Sequence, residues 1–189
     1  SVDDPVFAAG VHEVKIDDGF GNPISGGDLT LSGTAKITNV SPSSGPVGTE
    51  VTVNAAGFVP NEEVVPSFGT IQLPAATANA LGEVNFTFKA GTQSGGDTTI
   101  SLYGKTTNIT QTAIGIFKIT GQLISVYPIS GKKNDSITVS GNGYIRSTQV
   151  YLDFGQVTSL ASKSVASDGT FNMVFNVPSH PRGLAEMRI

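Results

Sequence analysis

The chain has 189 residues, a formal net charge of −4, 38% hydrophobic and 14% charged residues, 23 glycines, 10 prolines, and neither tryptophan nor cysteine. So apolar a chain is not a disordered tail, and its β-branched residues and turn formers argue against a helical protein. An acidic balance lacks the basic face that nucleic acid or an anionic membrane selects, and the absence of cysteine removes disulfides, thiolate chemistry and Cys-ligated zinc. No apolar run reaches the ~18 residues of a membrane-spanning helix.

Residues 10–16, GVHEVKI, alternate in character and predict a strand. A cluster of turn formers follows, Asp17-Asp18-Gly19-Phe20-Gly21-Asn22-Pro23, and Leu29–Ser32 predicts a second strand. Next come a short strand over Ile37–Val40, stopped by Ser41-Pro42, and a turn-rich connection over residues 43–48. Glu50–Ala55 alternates with Val51 and Val53 inward. Asn61–Phe68 places Val64, Pro66 and Phe68 inward, and Pro66 there predicts an edge strand or a bulge. Ile71–Leu73 predicts a short edge strand. Glu83–Phe88 puts Val84, Phe86 and Phe88 in and Asn85 and Thr87 out, and Thr99–Tyr103 and Ala113–Ile119 complete the series.

From there the chain repeats itself. Pro42, Gly45, Val51, Val53, Gly57 and Phe58 recur 86 positions later as Pro128, Gly131, Ile137, Val139, Gly143 and Tyr144. Val64, Phe68 and Gly69 recur as Val150, Phe154 and Gly155. After one inserted residue, Gly82, Val84, Phe86 and Phe88 recur as Gly169, Phe171, Met173 and Phe175, and Gly96, Ile100 and Leu102 as Gly183, Met187 and Ile189. Gly10, Val14 and Ile16 match Gly96, Ile100 and Leu102 in the other direction. A period of about 86 residues is too long for a solenoid rung and fits a small sandwich with its own core. The expected fold class is therefore all-β, in tandem immunoglobulin-like β-sandwich modules. Residues 1–34 are expected to be the C-terminal strands of a preceding module, 35–120 a complete module, and 121–189 a module that stops before its last strand. The opening strands match those that would follow Ile189, so one copy's first strands are expected to complete the last sandwich of the next, end to end.

The motif I37-T-N-V-S-P-S-S-G-P-V-G-T-E-V-T-V53 with G57-F58, and its copy L123-I-S-V-Y-P-I-S-G followed by S136-I-T-V-S-G-N-G-Y144, resemble the start of IPT/TIG-type immunoglobulin-like domains. The stretch G10-V-H-E-V-K-I-D-D-G-F-G-N22 is similar to the closing strands of bacterial tandem Ig-like repeats. The resemblance implies a rod of domains in a large prokaryotic extracellular protein, such as a surface-layer protein or an adhesin. It carries no catalytic residues.

Candidate sites are few. The chain has no G-x-S-x-G, H-E-x-x-H, P-loop or Rossmann fingerprint. Its two histidines, His12 and His180, are not repeat equivalents, so a shared metal or acid–base role is not expected. Asp17 and Asp18, with Asn22 and Asp28 nearby, are the candidate calcium ligands, because hard cations take several oxygens from one or two loops; the alternative is a solvated turn. Asn39, Asn85, Asn108 and Asn134 head Asn-x-Ser/Thr sequons and are glycosylation candidates, with Thr106, Thr107, Thr110 and Thr112 as hydroxyl acceptors. Ser94-Gly95-Gly96, Gly57 and Gly143 are expected to be turns. Tyr103, Tyr127, Tyr144 and Tyr151 would form a sugar platform only if they share a face. The sequence therefore points to a non-catalytic structural segment of a cell-surface protein, a surface layer or envelope component, whose partners are neighbouring modules and copies of itself. No cofactor is expected apart from the candidate structural calcium, and neither a nucleic acid partner nor direct membrane insertion is expected. The alternative is an accessory carbohydrate- or protein-binding module of a secreted enzyme or adhesin.

Overall fold

The computed structural model describes residues 10–16, 19, 24–31, 35–106 and 113–189. Its regular structure is all strand: β1 (Gly10–Ile16), β2 (Ile24–Leu31), β3 (Lys36–Ser41), β4 (Ser44–Gly45), β5 (Glu50–Ala56), β6 (Glu63–Phe68), β7 (Ile71–Gln72), β8 (Ala76–Thr77), β9 (Val84–Lys89), β10 (Gly96–Gly104), β11 (Ala113–Ile119), β12 (Gln122–Tyr127), β13 (Ser136–Asn142), β14 (Gln149–Phe154), β15 (Val157–Ser164), β16 (Phe171–Asn176) and β17 (Met187–Arg188). The chain clusters into two compact units, one of residues 1–42, 51–88 and 99–116, the other of 43–50, 89–98 and 117–189.

In the first unit β1 and β2 form an antiparallel pair, Gly10 opposite Leu31 and Ile16 opposite Ile24. A three-stranded sheet runs β3-β5-β9, and β6 pairs with β10 on one side and with β7 and β8 on the other; β4 and the end of β11 belong to the second unit. Alternation decides which side chains go in, because successive residues of a strand point to opposite faces. Val51, Val53 and Ala55 of β5, Val64 and Phe68 of β6, and Ile100 and Leu102 of β10 are buried, while Asn85 and Thr87 of β9 are exposed. Phe68 and Phe88 meet with ring centroids 5.1 Å apart.

Two connections depart from the sequence expectation. Ser44–Gly45 is not only a turn: it pairs parallel with Lys118–Ile119 of β11. Pro66 is in neither an edge strand nor a bulge, since β6 is paired on both sides, with Pro66 opposite Leu102. Having no N–H to donate, Pro66 instead interrupts its neighbour. β7 pairs with Ser67–Phe68 and β8 with Glu63–Val64, and between them Leu73 N donates to Pro66 O at 3.0 Å. In the second unit Leu152 stands at the matching place, and the strand beside it, β15, is continuous, with Leu152 opposite Ala161.

The second unit contains two three-stranded sheets, β12-β13-β16 and β15-β14-β17. Ile137 and Val139 of β13, Phe171, Met173 and Phe175 of β16, and Val150, Leu152 and Phe154 of β14 close on one core. This is a β-sandwich, and its register repeats that of the first unit's sheets: Val40 pairs with Val53 as Val126 pairs with Val139. Phe154 and Phe175 repeat the aromatic pair at 5.7 Å, with interplanar angles of 51° and 52° in the two cases. The second core is more open. Ile100 and Leu102 are 0% exposed, whereas their counterparts Met187 and Ile189 are only partly buried.

Removing a buried phenylalanine costs about 3–5 kcal/mol through lost transfer energy and the cavity left behind. Phe68→Ala should fall at the upper end of that range, because Phe68 is 0% exposed, and Phe154→Ala lower, because Phe154 is 9% exposed. Urea unfolding followed by circular dichroism checks the order, and an equal or larger loss for Phe154→Ala would contradict it.

Candidate functional surfaces

The second unit gathers two loops, residues 43–50 and 89–98, against the segment 117–189. β11 ends at Ile119 and β12 begins at Gln122, so only Thr120 and Gly121 separate them. Around that connection the two loops are hydrogen-bonded to the segment that follows, through main chain and side chain alike. Gly95 N donates to Tyr144 O at 2.8 Å, Arg146 N to Ser94 Oγ at 3.0 Å, and Gln122 Nε2 to Val47 O at 3.1 Å. These approaches require the absence of side chains. A Cβ on Gly95 would lie on Gly143 O, and one on Gly143 would lie on Thr120 O. One on Gly169 would sit 2.5 Å from Gln93 O. Gly143 and Gly169 also hold φ of +73° and +80°, a region that disfavours any side chain. Tyr144 covers Gly121, packs edge-on to Phe171 at 5.1 Å, and donates its own N–H to Gly169 O at 3.1 Å. Burial raises its phenol above the ordinary tyrosine range, so the ring stays neutral. The Thr170 hydroxyl and amide hold the Asp168 carboxyl below its ordinary range and brace the Asp168-Gly169 turn. The glycines expected to be turns here are thus also the points of close approach.

The sequon residues distribute unevenly. Asn39 is opposite Asn54 in the register of β3 and β5, and Asn85 Nδ2 donates to Asn54 Oδ1. Asn39 and Asn85 therefore lie on the same outward sheet face, both exposed, beside a shallow cavity of about 510 Å³ that Asn54 and Asn85 help to line. Asn134 is exposed in a turn at φ +73°. Asn108 lies outside the described residues, as do Thr107, Thr110 and Thr112.

Asp17, Asp18 and Asn22, the candidate calcium ligands, also lie outside the described residues, and Asp28 sits within β2 opposite Glu13 instead of in a loop. Among the described residues no group of three or more His, Asp or Glu side chains gathers as a metal site. His12 lies in β1 opposite Leu29, and His180 packs edge-on to Phe154 at 5.5 Å. The tyrosines share no face: Tyr103, Tyr127 and Tyr151 are exposed on β10, β12 and β14, which belong to three different sheets, and Tyr144 is half-buried. The sequence reading passed over Glu62, which is 3% exposed and whose carboxylate accepts from Val59 N at 2.8 Å and Thr106 N at 3.2 Å. That arrangement ties two loops together. No helix among the described residues is long and apolar enough to cross a membrane.

No family model matches the chain, and no curated protein matches it. Among solved structures, it is similar to the BSP domain of a biofilm associated protein (16% identity, TM-score 0.34), covering 82% of this chain and 26% of that one. It is also similar to the D0-D1 domain of intimin (15% identity, TM-score 0.33, covering 81% of this chain and 91% of that one). A third similar structure is SGBP-B from a complex xyloglucan utilization locus in Bacteroides uniformis (18% identity, TM-score 0.28, covering 81% and 45%). The chain thus spans about a quarter of the first of these.

Gly95→Ala forces a methyl group into the Gly143 carbonyl and should cost about 1–3 kcal/mol, the usual range for overpacking. Thr92→Ala, at an exposed position on the same loop, should stay within about 0.5 kcal/mol of the parent. Urea midpoints measure both, and an unchanged midpoint for Gly95→Ala would contradict the close approach.

Proposed function

We propose that this chain is a non-catalytic structural segment of an extracellular, cell-surface protein, a component of a surface layer or envelope built from Ig-like modules in series. In this reading residues 35–120 and 121–189 are successive modules and residues 1–34 belong to the one before. The observation that carries it is the two-residue connection at Thr120 and Gly121, flanked on both sides by backbone hydrogen bonds and glycine close approaches. In this reading so short a connection limits rotation between modules, which suits a strut. A flexible linker of Gly and Ser, by contrast, behaves as a random coil. The partners are then neighbouring modules and other copies of the protein, joined in a lattice or end to end, and the outward faces carrying Asn39, Asn85 and Asn134 are where glycans would be borne. Calcium at Asp17 and Asp18 would stiffen the turn between the opening strands.

The alternative is an accessory carbohydrate- or protein-binding module, which an exposed aromatic row would favour; the exposed tyrosines of the described residues sit on separate sheets. Antibodies raised against this chain and applied to fractionated source cells provide the test. We expect a very large, abundant species in the envelope fraction. A small or scarce species released to the medium would overturn the structural reading.

A further inference from the structure

The outward face of the β3-β5-β9 sheet bears a polar groove whose side chains hold one another in place. Asn54 is opposite Asn39 in the register, and β9 runs on its other side. Thr38, Asn54 and Asn85 line the cavity of about 510 Å³ together with Thr77 of β8 and with Asn79 and Glu83 of the turn that leads into β9. Thr38 Oγ1 donates to Asn54 O at 3.1 Å, and Asn85 Nδ2 donates to Asn54 Oδ1. Asn79 Oδ1 accepts from Leu81 N at 2.8 Å and Glu83 N at 2.9 Å, while Asn79 Nδ2 donates to Glu83 Oε2 at 2.9 Å. Among the described residues this leaves Asn54 Nδ2, Asn85 Oδ1 and Glu83 Oε1 without a partner: a donor, an acceptor and a charged acceptor, each on a side chain already fixed.

The fold does not require this set, because the second unit builds the same backbone with other side chains. Ser125 and Ser140 pair as Asn39 and Asn54 do, and their hydroxyls bond each other at 2.9 Å. Asn79 N donates to Glu83 O and Gly82 N to Asn79 O; in the matching turn Ala166 N donates to Thr170 O and Gly169 N to Ala166 O. In each turn one side chain accepts the closing amides, Asn79 in the first unit and Asp168 in the second. The Glu83 carboxylate has no part in that closure, and Thr170 stands in its place. A serine where Asn54 stands and a threonine where Glu83 stands thus suffice for the strand pairing and the turn. The Asn54 amide and the Glu83 carboxylate are additions to the first unit that folding does not account for.

We infer that this groove binds a neutral saccharide. Amides and a carboxylate fixed side by side suit a ligand whose hydroxyls each donate and accept, as neighbouring hydroxyls of a sugar do. The lining has one carboxylate and no Lys or Arg, so an anion finds no partner in it; Lys36, opposite Ala56, is not part of the lining. The volume lies in the range of small-ligand sites, about 300–1,000 Å³, whereas a protein partner needs about 800 Å² of surface on each side. No aromatic ring lines the groove, so binding rests on hydrogen bonds and is weak. The ligand is a separate molecule, since a glycan attached at Asn85 would itself fill the groove. The inference goes beyond the strut reading and does not depend on it, because it concerns one face of one sheet.

The test is NMR titration of the 189-residue chain, made in a host that attaches no glycan. The ligands are maltohexaose, cellohexaose and linear mannohexaose, each beside its fully O-methylated form, with oligogalacturonate and hexalysine as charged comparisons. We expect saturable shifts confined to residues 36–41, 54–56 and 76–85 with at least one of the three neutral sugars. Its O-methylated form, which cannot donate, should bind at least about tenfold more weakly, as the loss of two or more hydrogen bonds implies. Asn54→Leu and Asn85→Val together should lower the affinity at least about tenfold. Glu83→Gln, which keeps an acceptor, should lower it less than Glu83→Leu does. Asn172→Val, at the place of Asn85 in the second unit, should leave it unchanged. The spectra themselves report that each variant is folded. No binding of any of the three sugars, shifts centred on other residues, equal binding of the O-methylated form, indifference to the paired substitution, or oligogalacturonate or hexalysine binding as tightly at the same residues would each overturn the inference.

Discussion

Peptide group against peptide group, with no side chain between, is the contact on which the second unit depends. At Gly95, Gly143 and Gly169 two stretches of main chain approach so closely that a single methyl group would have to displace a carbonyl. Such contact leaves few arrangements to choose among: a hydrogen bond such as Gly95 N to Tyr144 O tolerates little displacement, and a rigid backbone cannot yield as a surface side chain does. The sandwich cores supply stability through buried Val, Ile and Phe. The glycines decide how the loops and the segment after them are held. A net hydrogen bond contributes only about 0.5–1.5 kcal/mol, so the joint is specified by shape more than by energy.

Most of the fold is legible because a half-buried strand writes its own pattern. Val51/Val53 and Ile137/Val139 alternate with polar partners, so strand and inward face both follow, and Ala113–Ile119 emerges with the boundaries expected. Legibility ends where a residue acts through its neighbour. Pro66 predicts its own missing hydrogen bond, but not that the adjacent strand would break into β7 and β8 so that Pro66 could remain interior. Ser44–Gly45 looks like a turn, and its parallel pairing with β11 depends on a partner more than seventy positions away.

The candidate surfaces were harder to read for the same reason. Gly95, Gly143 and Gly169 look like ordinary turn glycines, and only the folded chain brings them face to face with other backbone. Asn54, Glu83 and Asn85 are unremarkable where they occur, yet β5, β9 and the turn before β9 bring them around one cavity. The tyrosines show the converse: close in kind, they are separated by the topology into three sheets.

The central claim is that the Thr120–Gly121 joint is stiff. It is tested by placing cysteines, and on them nitroxide labels, at the exposed Lys89 and Tyr151, one on either side of the joint and both in the second unit, in a chain with no cysteine of its own. Pulsed electron–electron double resonance then gives the distance distribution between them. A single narrow distribution that broadens on Gly95→Ala is the result the account predicts, and a broad distribution in the parent chain, unchanged by that substitution, would contradict it.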